Sequence, residues 1–159
     1  MPEPLTIRIA GPADAEAITA TLRAAFAEFE PIYTPAAFDA TTPPKEQILE
    51  RFGQGPIWVA EVEGAMVGTV SAVPRSTELY IRSMAVTPGA RGQSVGARLL
   101  DVVEAFAVAN GHRRLVLNTT PFLMAALQLY ERRGFRRTGE LPDLFGTPLI
   151  TLAKDIWDA

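Results

Sequence analysis

Hydrophobic positions along the chain follow two periods, and the switches between them outline the elements. Leu5, Ile7 and Ile9 alternate with polar residues and predict a strand over 5–10, ended by Gly11-Pro12. From Asp14 to about Phe29 the period lengthens, and Ile18, Leu22, Ala25, Phe26 and Phe29 fall on one helical stripe. The stretch 30–42, with Pro31, Tyr33, Pro35 and Phe38, reads as a loop. Thr42 followed by Pro43-Pro44 predicts the cap of a short helix running to about Phe52 and closed by Gly53 and Gly55. Strands are predicted over 57–62, 66–73 and 79–86, with Glu63-Gly64 as a hairpin turn between the first two. A helix over 95–110 carries Leu99, Leu100, Val103, Phe106 and Ala107 on its apolar face and ends at Asn110-Gly111. The nearly continuous apolar run 115–118 predicts a strand buried on both faces. A helix over 122–133 is stopped by Gly134. Strands over 135–140 and 149–154 then enclose a loop with Pro142, Gly146 and Pro148.

The order β-α-α-β-β-β-α-β-α-β-β predicts an α/β chain with a mixed sheet, hairpins in its middle and helical crossovers beside them. Composition narrows the picture. With 159 residues, 48% of them hydrophobic and 21% charged, the chain fits one domain, over 1–159, with a substantial core and little disorder. Net charge is −3 with no basic stripe, so no nucleic-acid partner is expected. The absence of cysteine removes disulfides, thiolate nucleophiles and cysteine metal sites. A single histidine, His112, removes any two-histidine metal site, and no nucleophile-elbow spacing precedes it. Pro2, Glu3 and Pro4 interrupt any apolar leader and no membrane span is visible, so the expectation is a cytoplasmic protein with no membrane partner.

The chemistry concentrates at two places. Val86-Thr87-Pro88-Gly89-Ala90-Arg91-Gly92-Gln93-Ser94-Val95-Gly96-Ala97 carries a strand through a glycine-bearing turn into a helix. Backbone N–H groups there converge at the positive end of a helix dipole, a seat for a pyrophosphate. Farther on, Tyr130-Glu131-Arg132-Arg133-Gly134-Phe135 sets a tyrosine one turn before a helix-ending glycine. Together these suggest a CoA-dependent acyltransferase.

Both segments resemble the GNAT family, the Gcn5-related N-acetyltransferases. Arg91-Gly92-Gln93-Ser94-Val95-Gly96 is similar to the family's Arg/Gln-x-x-Gly-x-Gly/Ala, and Leu129-Tyr130-Glu131-Arg132-Arg133-Gly134-Phe135 to its Leu-Tyr-x-x-x-Gly-Phe. The opening Ile7 to Asp14 is similar to the family's first strand and helix start. Two positions depart from it. Ser94 stands where glycine is usual; it keeps the N–H donor, fits helical dihedrals, and would cost energy at positive φ. Leu123 stands where asparagine is common, which removes a polar contact to CoA, and Asn118 is a candidate to supply another.

The resemblance implies a single-domain, mixed, mostly antiparallel central sheet of six to seven strands flanked by about four helices. It implies acetyl-CoA as acyl donor, no metal, and a strand 79–86 splayed from 115–118. On these residues, Arg91, Gly92, Gln93, Ser94, Val95, Gly96 and Ala97 would seat the pyrophosphate. Met84, Ala85 and Val86 would pair with the pantetheine arm, and an N–H near Ala85 would polarise the thioester. Tyr130 is the candidate general acid. Alternation sets Glu78, Tyr80, Arg82 and Met84 on one strand face, with Glu78 as candidate base through water and Tyr80 nearest the family's glutamate. Phe29, Glu30, Tyr33 and Tyr80 are candidates for the acceptor pocket, with Glu28, Glu30 and Asp39 placed to attract a cationic amine. The pairs Arg113-Arg114, Arg132-Arg133 and Arg136-Arg137 read as solvated charges, some within reach of the CoA 3′-phosphate.

The leading reading is an N-acetyltransferase working by direct attack in a ternary complex of acyl-CoA and amine. The alternative is a non-catalytic acyl-CoA-binding sensor. A P-loop-like nucleotide binder lacks the Gly-Lys-Ser/Thr ending. A homodimer is left open, since the apolar tail 149–157 either pairs with a second copy or closes the sheet.

Overall fold

A computed structural model describes residues 4–157; Pro2 and Glu3, used above against a leader, lie outside the described residues. Its centre is a seven-stranded sheet in the order β1-β2-β3-β4-β5-β9-β6. The strands are β1 (Leu5–Ile9), β2 (Ile57–Val62), β3 (Ala65–Arg75), β4 (Glu78–Val86), β5 (Arg114–Thr119), β9 (Ile150–Asp155) and the two-residue edge β6 (Arg136–Arg137). All neighbours pair antiparallel except β4 and β5, which run parallel because helix α4 (Val95–Ala109) crosses between them. The expected mixed, mostly antiparallel sheet is present. Strand β9 lies between β5 and β6, so the apolar tail closes this sheet.

Five helices flank the sheet, one more than expected: α1 (Ala15–Phe26), α2 (Pro35–Thr41), α3 (Lys45–Arg51), α4 and α5 (Met124–Arg132). The additional one is α2, within the stretch read as a loop. Its signal is local: Thr34 caps it by accepting from the Ala37 amide at 3.2 Å, and Pro35 fills its first turn. Thr42, expected to cap the next helix, instead terminates α2, its hydroxyl donating back to the Phe38 carbonyl at 2.8 Å. Pro44 precedes α3 without a side-chain cap. The long first helix ends at Phe26 and continues as a 3-10 turn to Phe29.

The two sheet faces bury different cores. On one, Trp58, Val70, Leu79, Ile81, Leu115 and Leu117 pack under Leu99, Leu100 and Val103 of α4, with Tyr130 of α5 and Phe135 in the same core. On the other, Ile57, Val59 and Ala85 pack under Ile18, Leu22 and Phe26 of α1, Phe38 of α2 and Ile48 of α3. Glu63 and Gly64 both have positive φ, as a two-residue hairpin between right-twisted strands requires. The predicted strand 135–140 is a regular ladder only at Arg136 and Arg137; Gly139, at φ +93°, interrupts it, while the Thr138 amide still donates to the Thr151 carbonyl at 3.0 Å and the Thr151 amide to the Glu140 carbonyl at 3.2 Å. A small hairpin follows, β7 (Asp143–Leu144) with β8 (Thr147–Pro148). It is tied to the start of α2: the Thr34 hydroxyl donates to the Phe145 carbonyl at 2.7 Å and the Thr34 amide to the Thr147 hydroxyl at 3.0 Å. No helix among the described residues is long and apolar enough to cross a membrane.

Candidate active site

The cleft exists because β4 and β5 part company. They pair only from Glu78↔Arg114 to Ile81↔Leu117; beyond this β5 stays with β9 as far as Thr119, and β4 diverges toward α4. The gap opens a cavity of about 740 Å³. That is within the range of pockets that hold a small organic ligand.

A bulge in β4 shapes the middle of this cavity. Thr69 of β3 faces Ala85 and Ser71 faces Arg82, so Ser83 and Met84 together oppose Val70. Ser83 takes φ +55°, and its hydroxyl accepts from Arg51 Nη1 of α3 at 2.8 Å. The extra residue reverses the strand's alternation. Glu78, Tyr80 and Arg82 share a face, but Met84 does not, correcting the expected four-residue face. Met84 packs with the α4 side, and Ala85 joins the α1 side. Beyond the bulge the Thr87 amide donates to the Val67 carbonyl of β3 at 2.9 Å. Strand alternation then turns the backbone of Ala85 toward β3 and the amides of Met84 and Val86 toward the gap.

At the far end of the cavity, the turn after β4 presents backbone donors. The first bond of α4 runs from the Arg98 amide to the Ser94 carbonyl at 3.1 Å, and no amide from Gly92 to Ala97 has an acceptor among the described residues. Gly92, at φ +81°, aims this run. Gly96 allows close approach: a Cβ there would lie 2.9 Å from Leu129 Cδ2 of α5 and 3.5 Å from Met84 Cε. Ser94 takes φ +64° and ψ +18°, the left-handed conformation rather than the helical one that would suit serine. The Arg91 side chain reaches back to α1, pairing with Glu28 and donating to the Ala25 carbonyl at 2.9 Å. The Val95 side chain is in the core, and Gln93 is not on the cavity wall.

Tyr130 is brought to the wall from α5, buried beside Phe135 with ring centroids 5.8 Å apart. Gly134, at φ +93°, ends α5 so that Phe135 can fold back against the tyrosine. Burial pushes the Tyr130 phenol well above its ordinary value, with a smaller push from Tyr33.

The opposite end is lined by side chains from separate elements. Tyr80 of β4 accepts from Asn118 Nδ2 of β5 at 3.4 Å, while Asn118 Oδ1 accepts from the Thr151 hydroxyl at 2.6 Å. Asn118, expected at the cofactor, thus also holds Tyr80. Phe29 and Tyr33 are on the wall, linked through Phe122, which meets Tyr33 edge-on at 4.9 Å. Desolvation raises the Tyr33 phenol, offset in part by the Thr120 and Thr41 hydroxyls.

Glu30 and Asp39 are not on this wall, and Glu28 is engaged by Arg91. Glu78 sits where β4 begins, paired with Arg114 at 3.3 Å beside a second, smaller cavity. Sequence reading missed Arg51 and the site role of Arg82. Arg51 ends α3 and belongs to no motif; Arg82 was visible only as one position on a strand face.

Comparison with known proteins adds three facts. The model of the family described as "Acetyltransferase (GNAT) family" matches residues 19–135. N-acetylaspartate synthetase of Danio rerio is 41% identical over 60% of this chain and 36% of its own length; N-acetyltransferase 8B of Homo sapiens is 36% identical over 52% and 39%. The chain thus spans well under half the length of these curated relatives. Among solved structures, the PaiA N-acetyltransferase of Thermoplasma acidophilum in complex with coenzyme A superposes with a TM-score of 0.82 at 16% identity, covering 96% of this chain and 99% of that one.

Proposed function

The chain belongs to the GNAT acetyltransferase family, and from that premise we propose that it is one domain over 1–159 that moves an acetyl group from acetyl-CoA to a primary amine by direct attack in a ternary complex. The observation that carries this reading is the parting of β4 from β5. It leaves a strand edge, a run of unbonded backbone amides and a buried tyrosine around one cavity. The names of the two curated relatives, both N-acetyltransferases, support it, as does the coenzyme A held by the structural neighbour.

The pyrophosphate is received by the amides from Gly92 to Ala97, where the dipole of α4 favours negative charge. Pantetheine amides pair with the open edge at Met84 to Val86, as an added strand would. The thioester carbonyl then lies near the bulge, where an amide turned into the gap stabilises the oxyanion. The amine attacks as its free base. The carbon–nitrogen bond forms, the carbon–sulfur bond breaks, and the ammonium proton passes to solvent. Tyr130 supplies the proton to the departing thiolate and regains one from solvent before the next turnover. Burial raises the phenol, which keeps Tyr130 protonated until the thiolate departs. Glu78 has no part in this scheme, being held by Arg114 outside the cavity.

The test is release of CoA thiol from acetyl-CoA against pooled amines, amino acids and short peptides, with Tyr130→Phe beside it. Acceptor-dependent release that collapses in the variant supports the reading. Bound acetyl-CoA with no release from any pool overturns it in favour of a non-catalytic acyl-CoA-binding domain.

A further inference from the structure

Four arginines, Arg51, Arg82, Arg91 and Arg132, are the only formally charged residues on the cavity wall among the described residues; no carboxylate is there. In a chain of net charge −3 this is a local reversal of sign. Two of the four stand at the coenzyme end, and Arg91 is already paired with Glu28. The other two stand at the acceptor end. Neither Arg51 nor Arg82 has a carboxylate within 4.0 Å among the described residues, although Arg8, Arg91, Arg114, Arg133 and Arg137 all do.

Resting on the acetyltransferase reading, we propose that the acceptor is an amino acid whose carboxylate is received by Arg51 and Arg82. The two guanidinium groups come from different elements, the end of α3 and the strand before the bulge, and each is aimed by a neutral partner. Arg51 Nη1 donates to Ser83 Oγ at 2.8 Å, and Arg82 Nη2 donates to Gln54 Oε1 at 2.8 Å. Serine and glutamine fix direction without neutralising charge, and the remaining guanidinium donors are left for a ligand. Arg82 Nε is buried with no partner. Loss of hydration weakens the hold of both arginines on their protons and brings Arg51 down to about 10; the charge of Arg82 adds to this at Arg51, and that of Arg75 at Arg82. Two half-buried cations that share one cavity wall and have no carboxylate partner among the described residues destabilise the fold unless an anion answers them. An incoming carboxylate does so in the fork geometry guanidinium favours.

The same charges act against other acceptors. A polyamine or lysine side chain would bring a further cation beside two arginines, with no acid on the wall to offset it. The sequence-level expectation of a cationic amine rested on Glu28, Glu30 and Asp39, and none of these offers a free carboxylate to the cavity. The position of the pair also suits the chemistry. Arg82 immediately precedes Ser83 and Met84, where the strand edge opens toward the thioester. A carboxylate anchored there leaves the amine of a short amino acid beside the reacting carbonyl.

The experiment compares L-glutamate, L-aspartate and glycine with glycinamide, ethylamine and putrescine as acceptors for the intact chain with acetyl-CoA. The CoA-loaded protein is also titrated calorimetrically with L-glutamate. Glycinamide is the sharp control, because its larger free-base fraction favours it on reactivity alone. The expected result is that carboxylate acceptors lead by about tenfold or more in kcat/KM, the scale of a charge-assisted contact. In Arg82→Gln and Arg51→Gln their KM rises by about tenfold, while KM for acetyl-CoA stays within about twofold. Equal or better turnover of the carboxylate-free amines overturns the inference and leaves the acetyltransferase reading standing. No turnover, with L-glutamate binding that is lost in Arg82→Gln, upholds the anion site and overturns the acetyltransferase reading. Neither turnover nor binding overturns both. The wild-type panel decides the matter even if a variant fails to fold.

Discussion

The two ends of the cleft are built on opposite plans. At the coenzyme end the groups offered to a ligand are backbone amides in the run from Gly92 to Ala97, and the side chains there are small or turned into the core, apart from Gln93, which is exposed and off the cavity wall. At the acceptor end the groups are side chains, Arg51, Tyr80, Arg82 and Tyr33, contributed by α3, β4 and the segment before α2, and no two are adjacent in sequence. A ligand common to a whole family can be bound by a main-chain device that tolerates much substitution, whereas a particular acceptor is recognised by side chains that each chain sets for itself. The predictions below test whether the two ends are as independent as this contrast requires.

The largest effect is expected where the ends meet. Tyr130→Phe removes the proton donor and little volume, so kcat falls by about a hundredfold or more, the usual share of a positioned general acid. The dissociation constant for acetyl-CoA, read by calorimetry, holds, because the amides of the turn are untouched. A parallel loss of affinity would make Tyr130 part of the coenzyme seat. The pH dependence has a definite sign. The folded phenol is raised above its ordinary value of 10.0, so it stays protonated across the neutral and mildly alkaline range, and turnover shows no alkaline fall from this group below that value. Stability behaves accordingly: above pH 10 the unfolded chain ionises first, and the contribution of this residue is lost as pH rises further.

Next comes Gly96→Val. Even a Cβ here meets Leu129 and Met84, and the branched side chain fills the approach to the turn. KM for acetyl-CoA should rise by about tenfold, with stability lowered by ~1–3 kcal/mol from crowding. KM for the acceptor should stay flat; a rise in both would mean that the ends are coupled through β4.

A smaller and oppositely signed effect is expected at the acceptor end. Arg82→Met deletes a half-buried cation that no carboxylate answers among the described residues, and keeps much of the aliphatic stem. The unliganded protein should gain about 1 kcal/mol in chemical denaturation, as when uncompensated charge at a site is replaced by apolar atoms. A loss instead would assign Arg82 to holding Gln54 and the end of α3 in place.

This contrast also explains what the sequence could disclose. The coenzyme end was legible because its parts are contiguous: Gly92, Gly96 and the apolar stripe of α4 fall within one short window, and Tyr130 is spaced from Gly134 by a single turn. The sheet was legible where apolar and polar residues alternate, as in Leu5 to Ile9, where an apolar run is long enough for a strand, as in Ile57 to Val62, and where Glu63-Gly64 demanded positive φ. The bulge at Ser83 was not, because nothing in Arg82-Ser83-Met84-Ala85 signals an extra residue; it follows from the register of β3 and from Arg51 reaching across from α3. Missing the bulge put Met84 on the wrong face, and missing Arg51 left the sign of the acceptor pocket to be read from acids that turned out to be engaged or outside the cavity. Helix α2 is different, since Thr34-Pro35 is a legible cap, passed over in favour of the similar Thr42-Pro43 one helix later.

The smallest prediction concerns the one departure from the motif that the structure makes physical. Ser94 is left-handed, at φ +64°, in the position the family gives to glycine. An L-residue there carries a strain of about 1–2 kcal/mol, which glycine does not. Glycine in turn loses more freedom on folding, by roughly 0.5–1 kcal/mol. Ser94→Gly should therefore stabilise the unliganded protein by a few tenths to ~1 kcal/mol in chemical denaturation. Because the backbone donor is the same in both residues, KM for acetyl-CoA should move by less than about twofold. Ser94→Ala is the necessary companion, keeping the strain and deleting only the hydroxyl. If alanine leaves KM unchanged, the pyrophosphate is held by the main chain alone and the contrast between the two ends of the cleft stands. If both variants weaken acetyl-CoA binding equally, the hydroxyl is a ligand in its own right, and the strain is retained for a side-chain contact at the very end of the cleft where the main chain was expected to suffice.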